Sequence, residues 1–326
     1  MWYADKNNKN RLSGKLGVMS RPVRIEFPGA HYHVTSKGLV AGDTVGKTVG
    51  KTVGHRKASA PTEHNEKQIF LDAEDKLAFL SVIDTVVSRY GWLLHSYVLM
   101  DTHYHLVVEC PQANLSKGMR QLNGVYTQHF NRRHLQDGPL FQGRFKSVLF
   151  EPEQYLLPLC RDVVLNPVRN GIGRLPQTYR WSSLRATLGV IKSPPWLHTQ
   201  KLLLPFSDTD SAVSQFRDYV KSGIGLPSPL ANRSAQVLLG SPGFVNEMQP
   251  ILNGEKLAKR GPKLVRRRSL RTLFRHVDDK TRVERNDLIR RAHIDHSYTL
   301  MEIGDHLGLH YTTVSKVINQ PVPVQG

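Results

Sequence analysis

The sequence predicts an α+β fold, in which a domain built around an antiparallel sheet is followed by a small helical domain. Three observations support this prediction. Apolar residues make up 39% of the 326-residue chain, which is enough for a sizeable core. Strand-like segments alternate with segments of helical periodicity up to about residue 190, and helical patterns dominate the C-terminal end of the chain.

The predicted elements follow the order strand, helix, strand, strand, helix, strand, helix. Asp72 is a good N-cap for the first helix and Gly91 ends it, a short turn at 101–102 joins the middle strands, and Pro167 is expected to end the last helix. The order is close to the split βαβ pattern, so the predicted sheet is ferredoxin-like. The predicted strands are 30–36, 92–100, 103–109 and 144–150, and the predicted helices are 73–90, 115–134 and 153–165.

Composition divides the chain further. Residues 1–18 are polar without periodicity and are expected to be a disordered tail, and residues 19–190 form the α+β domain. Within that domain, 38–67 contains a Gly-Lys-Thr-Val repeat of period four, which predicts a flexible low-complexity insertion. Residues 191–255 are expected to be a connector, and residues 256–326 a small helical domain.

The charge indicates a polyanionic partner. Lys and Arg total 45 against 27 Asp and Glu, a net charge of +18, and the basic residues are clustered. The two cysteines, Cys110 and Cys160, exclude a disulfide scaffold and fit a reducing compartment. No apolar run approaches the ~20 residues that span a bilayer, and the N-terminus has no signal-peptide core, so we expect a cytoplasmic protein with no membrane segment.

The sharpest candidate site is a His-x-His pair on a predicted strand. His103 and His105 are two residues apart, so they project from the same face of the sheet. Two neutral imidazoles at this spacing can share one divalent metal ion. Two solvent-facing histidines would produce the same pattern, and on spacing alone they are the commoner explanation.

Two further segments offer polar side chains. Asp162 and Asn166 are four residues apart on one helical face. The Asn166 amide oxygen is a possible metal ligand. Alternatively, Asn166 caps the end of the helix and Asp162 is a solvated surface charge. Arg144 and Lys146 alternate with aromatic residues, which suits a surface that contacts phosphates and stacks on bases, but also suits an ordinary half-buried strand.

The C-terminal end shows the pattern of a helix-turn-helix. A helix at 299–307, a turn at 308–310 and a helix at 311–319 are predicted, and the residues early on the second helix would meet base edges and phosphates. A plain three-helix bundle is the alternative. The residues expected to contact DNA are Tyr311, Thr312, Thr313, Ser315 and Lys316, together with the upstream Arg266, Arg267 and Arg268, which would contact phosphates.

Taken together, these segments resemble the REP-associated tyrosine transposases, which belong to the HUH superfamily of single-strand nucleases. The resemblance covers about residues 19–190, and the C-terminal domain is similar to the DNA-binding tail of longer members. It rests on the segments MSRPVRIEFPGAHYHVTSKG, MDTHYHLVVE, YTQHFNRRH, GPLFQGRFKS, LNPVRNG and YRWSSLRAT, in this order.

The resemblance implies a function. His103, His105 and Asn166 would hold Mg²⁺ or Mn²⁺, which polarises a phosphate of single-stranded DNA. In the family, a tyrosine four residues before this Asn attacks the phosphorus and forms a 5′-phosphotyrosine link, so strands are cut and rejoined. The implied partners are single-stranded hairpin repeats and, through the C-terminal domain, duplex DNA. A nucleoid-associated location and a possible homodimer would follow.

The sequence departs from the family at the nucleophile. Where the family has Arg-Tyr-Val-Val-Leu-Asn-Pro-Val, this chain has Asp162 in place of the tyrosine. A carboxylate is anionic at neutral pH, and a phosphodiester repels it. Asp162 could be a third metal ligand beside an attacking water, Tyr126 or Tyr155 could act instead, or catalysis could be lost. Tyr155 lies seven residues before Asp162 on the same helix, which is ~10 Å at 1.5 Å per residue, so it could act there only after a rearrangement. Whether the chain is an enzyme therefore stays open at this point.

Overall fold

The computed structural model describes residues 24–40, 66–206, 209–252, 268–294, 296 and 298–319. Within this part of the chain, five strands form one sheet and eleven α-helices surround it or follow it. The strands are β1 Ala30–Lys37, β2 Leu93–Leu99, β3 His103–Cys110, β4 Lys146–Phe150 and β5 Leu238–Leu239. The helices are α1 Ala73–Tyr90, α2 Leu115–Arg133, α3 Pro152–Arg169, α4 Leu184–Thr187, α5 Gln200–Leu203, α6 Thr209–Lys221, α7 Pro242–Leu252, α8 Leu270–Leu273, α9 Arg282–Ile294, α10 Leu300–Leu307 and α11 Tyr311–Asn319.

The sheet has the strand order β2-β3-β1-β4-β5. The first four strands are antiparallel neighbours, and with α1 and α2 they form the ferredoxin-like arrangement that the sequence predicts. The α+β class is confirmed. The sheet is nevertheless mixed, because β5 pairs in parallel with β4. A two-residue strand within a Gly- and Pro-containing segment leaves no periodic signal from which it could be predicted.

The first long helix begins and ends where the sequence predicts. The Asp72 side chain accepts hydrogen bonds from the backbone N–H groups of Glu74 and Asp75, at 2.9 and 3.0 Å. Gly91 follows the helix with φ of 64°, in the left-handed region that favours glycine, and its N–H donates to the Val87 carbonyl.

Helix α3 continues past Pro167, contrary to the expectation that this proline ends it. Proline lacks an N–H, so it removes a single hydrogen bond in the last turn, and the helix runs on to Arg169. The N–H of Asn170 then closes the turn on the Asn166 carbonyl, at 3.0 Å. Asn166 therefore lies within the helix, where its side chain projects from the helix surface.

The sheet has a core on each face. One core, between the sheet and helices α1 and α2, contains Phe79, Tyr104 and Tyr126. The other, between the sheet and helices α3 and α6, contains Val107 and Leu159. Because side chains alternate along a strand, His103 and His105 share the α3 side of β3 with Val107.

The segment expected to be a connector adds to this domain. Helix α6 contributes Phe216 and Val220 to the core beneath α3, and β5 extends the sheet. Helices α8 to α11 form a third core around Ile289, Ile303 and Val314. The boundaries between domains stay a prediction.

The low-complexity repeat lies outside the described residues, as do the N-terminal tail, Arg266 and Arg267. Val40 and Glu66, near the two ends of the predicted insertion 38–67, form an antiparallel bridge, so these ends are close together. None of the described helices combines the length and the apolar character that crossing a bilayer requires.

Candidate metal and DNA site

His103, His105 and Asn166 meet between β3 and α3. The Nε2 atom of His103 lies 3.3 Å from Asn166 Oδ1, and Asn166 Nδ2 lies 3.4 Å from Nε2 of His105. The strand places both histidines on one face, and α3 crosses that face with Asn166 toward them. The structure thus brings together the three residues that the family resemblance selects as metal ligands.

The remaining ring nitrogens of the two histidines are held by neighbours. Nδ1 of His105 lies 3.0 Å from Nε2 of His33, and Nδ1 of His103 lies 3.0 Å from the Thr102 hydroxyl. Each contact can hold a proton on Nδ1, which leaves Nε2 free to bind an ion. Such outer contacts are typical of histidines that act as ligands.

The environment keeps these rings neutral. Burial lowers the pKa of His103, and burial together with the neighbours His33 and His103 lowers the pKa of His105 well below its ordinary value. Two neutral imidazoles and one amide oxygen fit Mn²⁺ better than Mg²⁺, which prefers an all-oxygen shell. When bound, the ion would polarise a phosphate oxygen.

Asp162 has different partners. Its carboxylate forms an ion pair with the guanidinium of Arg169, and its Oδ2 accepts a hydrogen bond of 2.8 Å from the Ser228 hydroxyl. Among the described residues, Asp162 does not join His103 and His105 in a group of three ligand atoms within 4.8 Å of one another. The carboxylate is thus bound to a cation of its own helix.

The two tyrosines considered as replacement nucleophiles take part in packing. Tyr126 is fully buried, and its hydroxyl donates to the Ile69 carbonyl at 2.6 Å. Burial raises the pKa of Tyr126, which disfavours the phenolate that would attack phosphorus. It also lies on the face of the sheet opposite to His105. Tyr155 is half-buried at the start of α3.

A basic cavity of about 760 Å³ opens beside His105 and His33. The exposed side chains of Arg144, Lys146 and Arg233 line it, together with Arg24, whose guanidinium lies 3.6 Å from the centre of the Phe145 ring. The two predicted basic residues thus lie close to the histidine pair. Cations beside an aromatic ring suit a strand of phosphates and bases.

Sequence reasoning missed several residues of this site. His33 could have been found from the sequence, because it shares one face of the first strand with His31 in the segment AHYHV. Arg233 and Ser228 carried no signal, because their position depends on how the chain after α6 returns to α3. Only the tertiary structure brings these two residues to the site.

The two helices and the turn predicted at the C-terminal end form at the expected positions. Thr299 caps α10 together with Glu302, and Gly308 ends this helix with φ of 64°. On α11, the predicted DNA-contacting residues Tyr311, Thr312, Thr313 and Lys316 are exposed, and so is Arg268 upstream. Ser315 is the exception, since it is buried beside Val314.

The comparison with protein-family models agrees with the sequence resemblance. Residues 62–155 match the family model "Transposase IS200 like", a range that includes His103 and His105 and ends before Asp162. The chain is 13% identical to a solved structure described as "Structure of the REP associates tyrosine transposase bound to a REP hairpin", with a TM-score of 0.40, over 54% of this chain and 89% of that chain. No curated protein matches. Residues 62–155 thus form part of a domain that is similar to the IS200-like transposase family.

Proposed function

We propose that the protein binds single-stranded hairpin DNA through a transposase-like domain that retains its metal site but forms no covalent link to DNA. The observation that carries this proposal is the ion pair between Asp162 and Arg169, at the position where the family has its nucleophile. A carboxylate held by a guanidinium and by the Ser228 hydroxyl has no role as a phosphorus nucleophile.

The DNA strand would lie in the basic cavity beside His105. Arg144, Lys146 and Arg233 are exposed there and can contact phosphates. The guanidinium of Arg24, which lies over the buried Phe145 ring, offers a flat face for a base. The hairpin as target comes from the sequence resemblance. The REP hairpin in the solved structure is the ligand of that protein.

The C-terminal helices would add a second contact, to duplex DNA. The exposed Tyr311, Thr312 and Thr313 lie at the start of α11, where a recognition helix meets base edges, and Lys316 follows one turn later. A protein with these two contacts would be associated with the nucleoid. A homodimer stays a prediction from the family.

A second candidate function is hydrolysis of DNA by metal-bound water. It is favoured by one observation, the convergence of His103, His105 and Asn166. A hydrolytic nuclease would release free ends and need no tyrosine. The two proposals differ in whether the wild-type protein cuts DNA, and both require the same metal site.

Binding can be tested by fluorescence anisotropy with a labelled hairpin that carries a single-stranded extension, in Mn²⁺. We expect the Arg144→Ala, Lys146→Ala variant to weaken binding and to reduce the slope of log K against log salt by about 1.4, because two phosphate contacts are lost. Arg89→Ala removes an exposed cation from α1, on the other face of the sheet, and should leave binding unchanged. Equal effects of both variants would contradict the proposed strand path.

A further inference from the structure

A second cluster of ligand atoms lies on the same face of the sheet as His103 and His105. It consists of His31 on β1, His95 on β2 and Glu109 on β3, all buried. Glu109 is four residues beyond His105, which is about 13 Å along the strand. The three side chains thus form a site distinct from the one described above.

The two distances from the Glu109 carboxylate to the rings match those between ligands of a bound metal ion. Oε2 of Glu109 lies 3.2 Å from Nε2 of His31 and 3.3 Å from Nε2 of His95. Ligands about 2.0–2.1 Å from a tetrahedral Zn²⁺ are separated from one another by about 3.3–3.4 Å. Among the described residues, this is the group of three His, Cys, Asp or Glu ligand atoms that lie within 4.8 Å of one another.

The hydrogen bonds of the two rings leave their Nε2 atoms without a proton when the rings are neutral. Nδ1 of His31 lies 3.0 Å from the Gly29 carbonyl, and Nδ1 of His95 lies 3.2 Å from the His198 carbonyl. A carbonyl oxygen can only accept, so in each ring Nδ1 carries the proton and donates it. Each neutral ring then directs the lone pair of Nε2 at a carboxylate oxygen, which is also an acceptor.

In the metal-free protein, the cation that meets these acceptors is the ammonium of Lys201. Burial lowers the pKa of His95. Burial alone would raise the pKa of Glu109, but its contacts with His31, His95 and Lys201 hold that pKa well below its ordinary value, so the carboxyl is ionised. Two imidazole lone pairs and a carboxylate that meet in this way are a ligand set for a divalent transition metal.

We propose that His31, His95 and Glu109 bind one divalent transition-metal ion, with Zn²⁺ as the best match. Imidazole nitrogen and carboxylate oxygen are ligands that Zn²⁺ accepts, and the two carbonyl contacts orient the rings as outer contacts of zinc sites do. The site uses three neighbouring strands of the sheet, so its geometry is held by the backbone ladder.

Lys201 competes with the proposed ion. Its ammonium lies 2.8 Å from Oε2 of Glu109, and its side chain is 17% exposed, so it can withdraw toward solvent. The metal-free protein would keep Lys201 on the carboxylate, and the ion would replace it. Removal of the ammonium should therefore strengthen metal binding.

The site would also fasten the C-terminal helices to the sheet. The ring of His198 is buried with both nitrogens unpartnered, and it packs edge-on against His95 at 5.2 Å and against His293 of α9 at 4.1 Å between ring centres. An ion that fixes His95 would fix this stack of rings. We expect Zn²⁺ to raise the melting temperature of the whole chain.

The test uses the full chain without a histidine tag, with His103→Ala and His105→Ala in the background so that the family's metal site is removed. Zn²⁺ binding is measured by titration calorimetry, and Co²⁺ absorption reports imidazole coordination. We expect one Zn²⁺ per chain, a loss of affinity of more than about 100-fold in His95→Gln, and no change in the control His129→Gln, an exposed residue of α2.

Lys201→Met provides the complementary variant. It should bind Zn²⁺ more tightly than the background, with a lower Kd in the same titration. No Zn²⁺ bound by the background, or unchanged affinity in His95→Gln, would overturn the proposal. If His95→Gln fails to fold by circular dichroism, Lys201→Met decides, since weaker binding would overturn the proposal. Zn²⁺ binding is measured in the absence of DNA, so the outcome is independent of the proposed DNA-binding function.

Discussion

The carboxylate of Asp162 forms an ion pair with the guanidinium of Arg169, two helical turns further along α3. Nη1 of Arg169 also donates a hydrogen bond of 3.2 Å to the backbone carbonyl oxygen of Asp162. This second contact holds the two side chains on one face of the helix. Asp162 is thus built into the contact between α3 and the segment around Ser228. At the position where the sequence resemblance implies a tyrosine, the chain thus carries a carboxylate that is paired with a cation.

The ion pair should stabilise the fold. Arg169→Met would leave the Asp162 carboxylate, 10% exposed, without its cation, and we expect a loss of about 1–3 kcal/mol in the free energy of unfolding. Adding Asp162→Asn should restore most of this loss, because an amide carries no charge and still accepts from Ser228. Chemical denaturation of the single and double variants measures the coupling. Additive effects would show that the pair is not coupled.

The metal site should be separable from duplex binding. The His103→Ala, His105→Ala variant should lose Mn²⁺-dependent binding or cleavage of hairpin DNA, since two of three ligands are removed. It should bind duplex DNA as the parent does, because α10 and α11 form a separate core. Parallel titrations with a hairpin and a duplex test both parts. Cleavage at the parental rate by this variant would contradict the metal assignment.

The basic residues before α8 should supply affinity without sequence choice. Replacing Arg266, Arg267 and Arg268 with alanine should weaken duplex binding equally for all sequences and reduce the salt slope by about 2–3, since these residues are expected to contact phosphates. Affinities for a panel of duplexes at several salt concentrations measure this effect. A changed order of preference among the duplexes would contradict the assignment.

The cap of α1 should give a pH-dependent contribution to stability. The hydrogen bonds from Arg133 and from backbone N–H groups lower the pKa of Asp72 to about 2, from 3.8. Because the folded-state pKa lies below the unfolded one, the stabilisation is complete above pH ~4 and is lost as the pH falls through about 2. Asp72→Asn keeps a good cap and loses the charge, so its melting temperature should be lower than wild type at neutral pH.

The difference between wild type and Asp72→Asn should shrink as the pH falls below about 4. Melting temperatures measured from pH 7 downward test this prediction. Asp84→Asn, at an exposed position of the same helix near the Ser88 hydroxyl, serves as the control and should show no such trend. A difference for Asp72→Asn that stays constant down to pH 3 would contradict the ion-pair interpretation.

The sequence predicted those features that depend on local patterns. Asp72 and Gly91 mark the ends of α1, and the alternation along β3 places His103 and His105 on one face. The failures have a different cause. The parallel strand β5, the contact of Ser228 with Asp162, and the cluster of His31, His95 and Glu109 all join segments that are distant in sequence, and no period or spacing records such contacts. The prediction that Pro167 ends α3 was wrong because a proline near a helix end removes only one backbone hydrogen bond.

We propose that the chain retains the scaffold of a transposase-like domain and lacks the nucleophile. This proposal is tested most directly by incubating labelled single-stranded hairpin DNA with Mn²⁺ and either wild type or Asp162→Tyr, and resolving the products on a denaturing protein gel. Asp162→Phe controls for the aromatic ring, since it lacks the hydroxyl that attacks. We predict no adduct for wild type or Asp162→Phe and a covalent protein–DNA adduct for Asp162→Tyr. An adduct formed by wild type would contradict the account and would point to another tyrosine as the nucleophile.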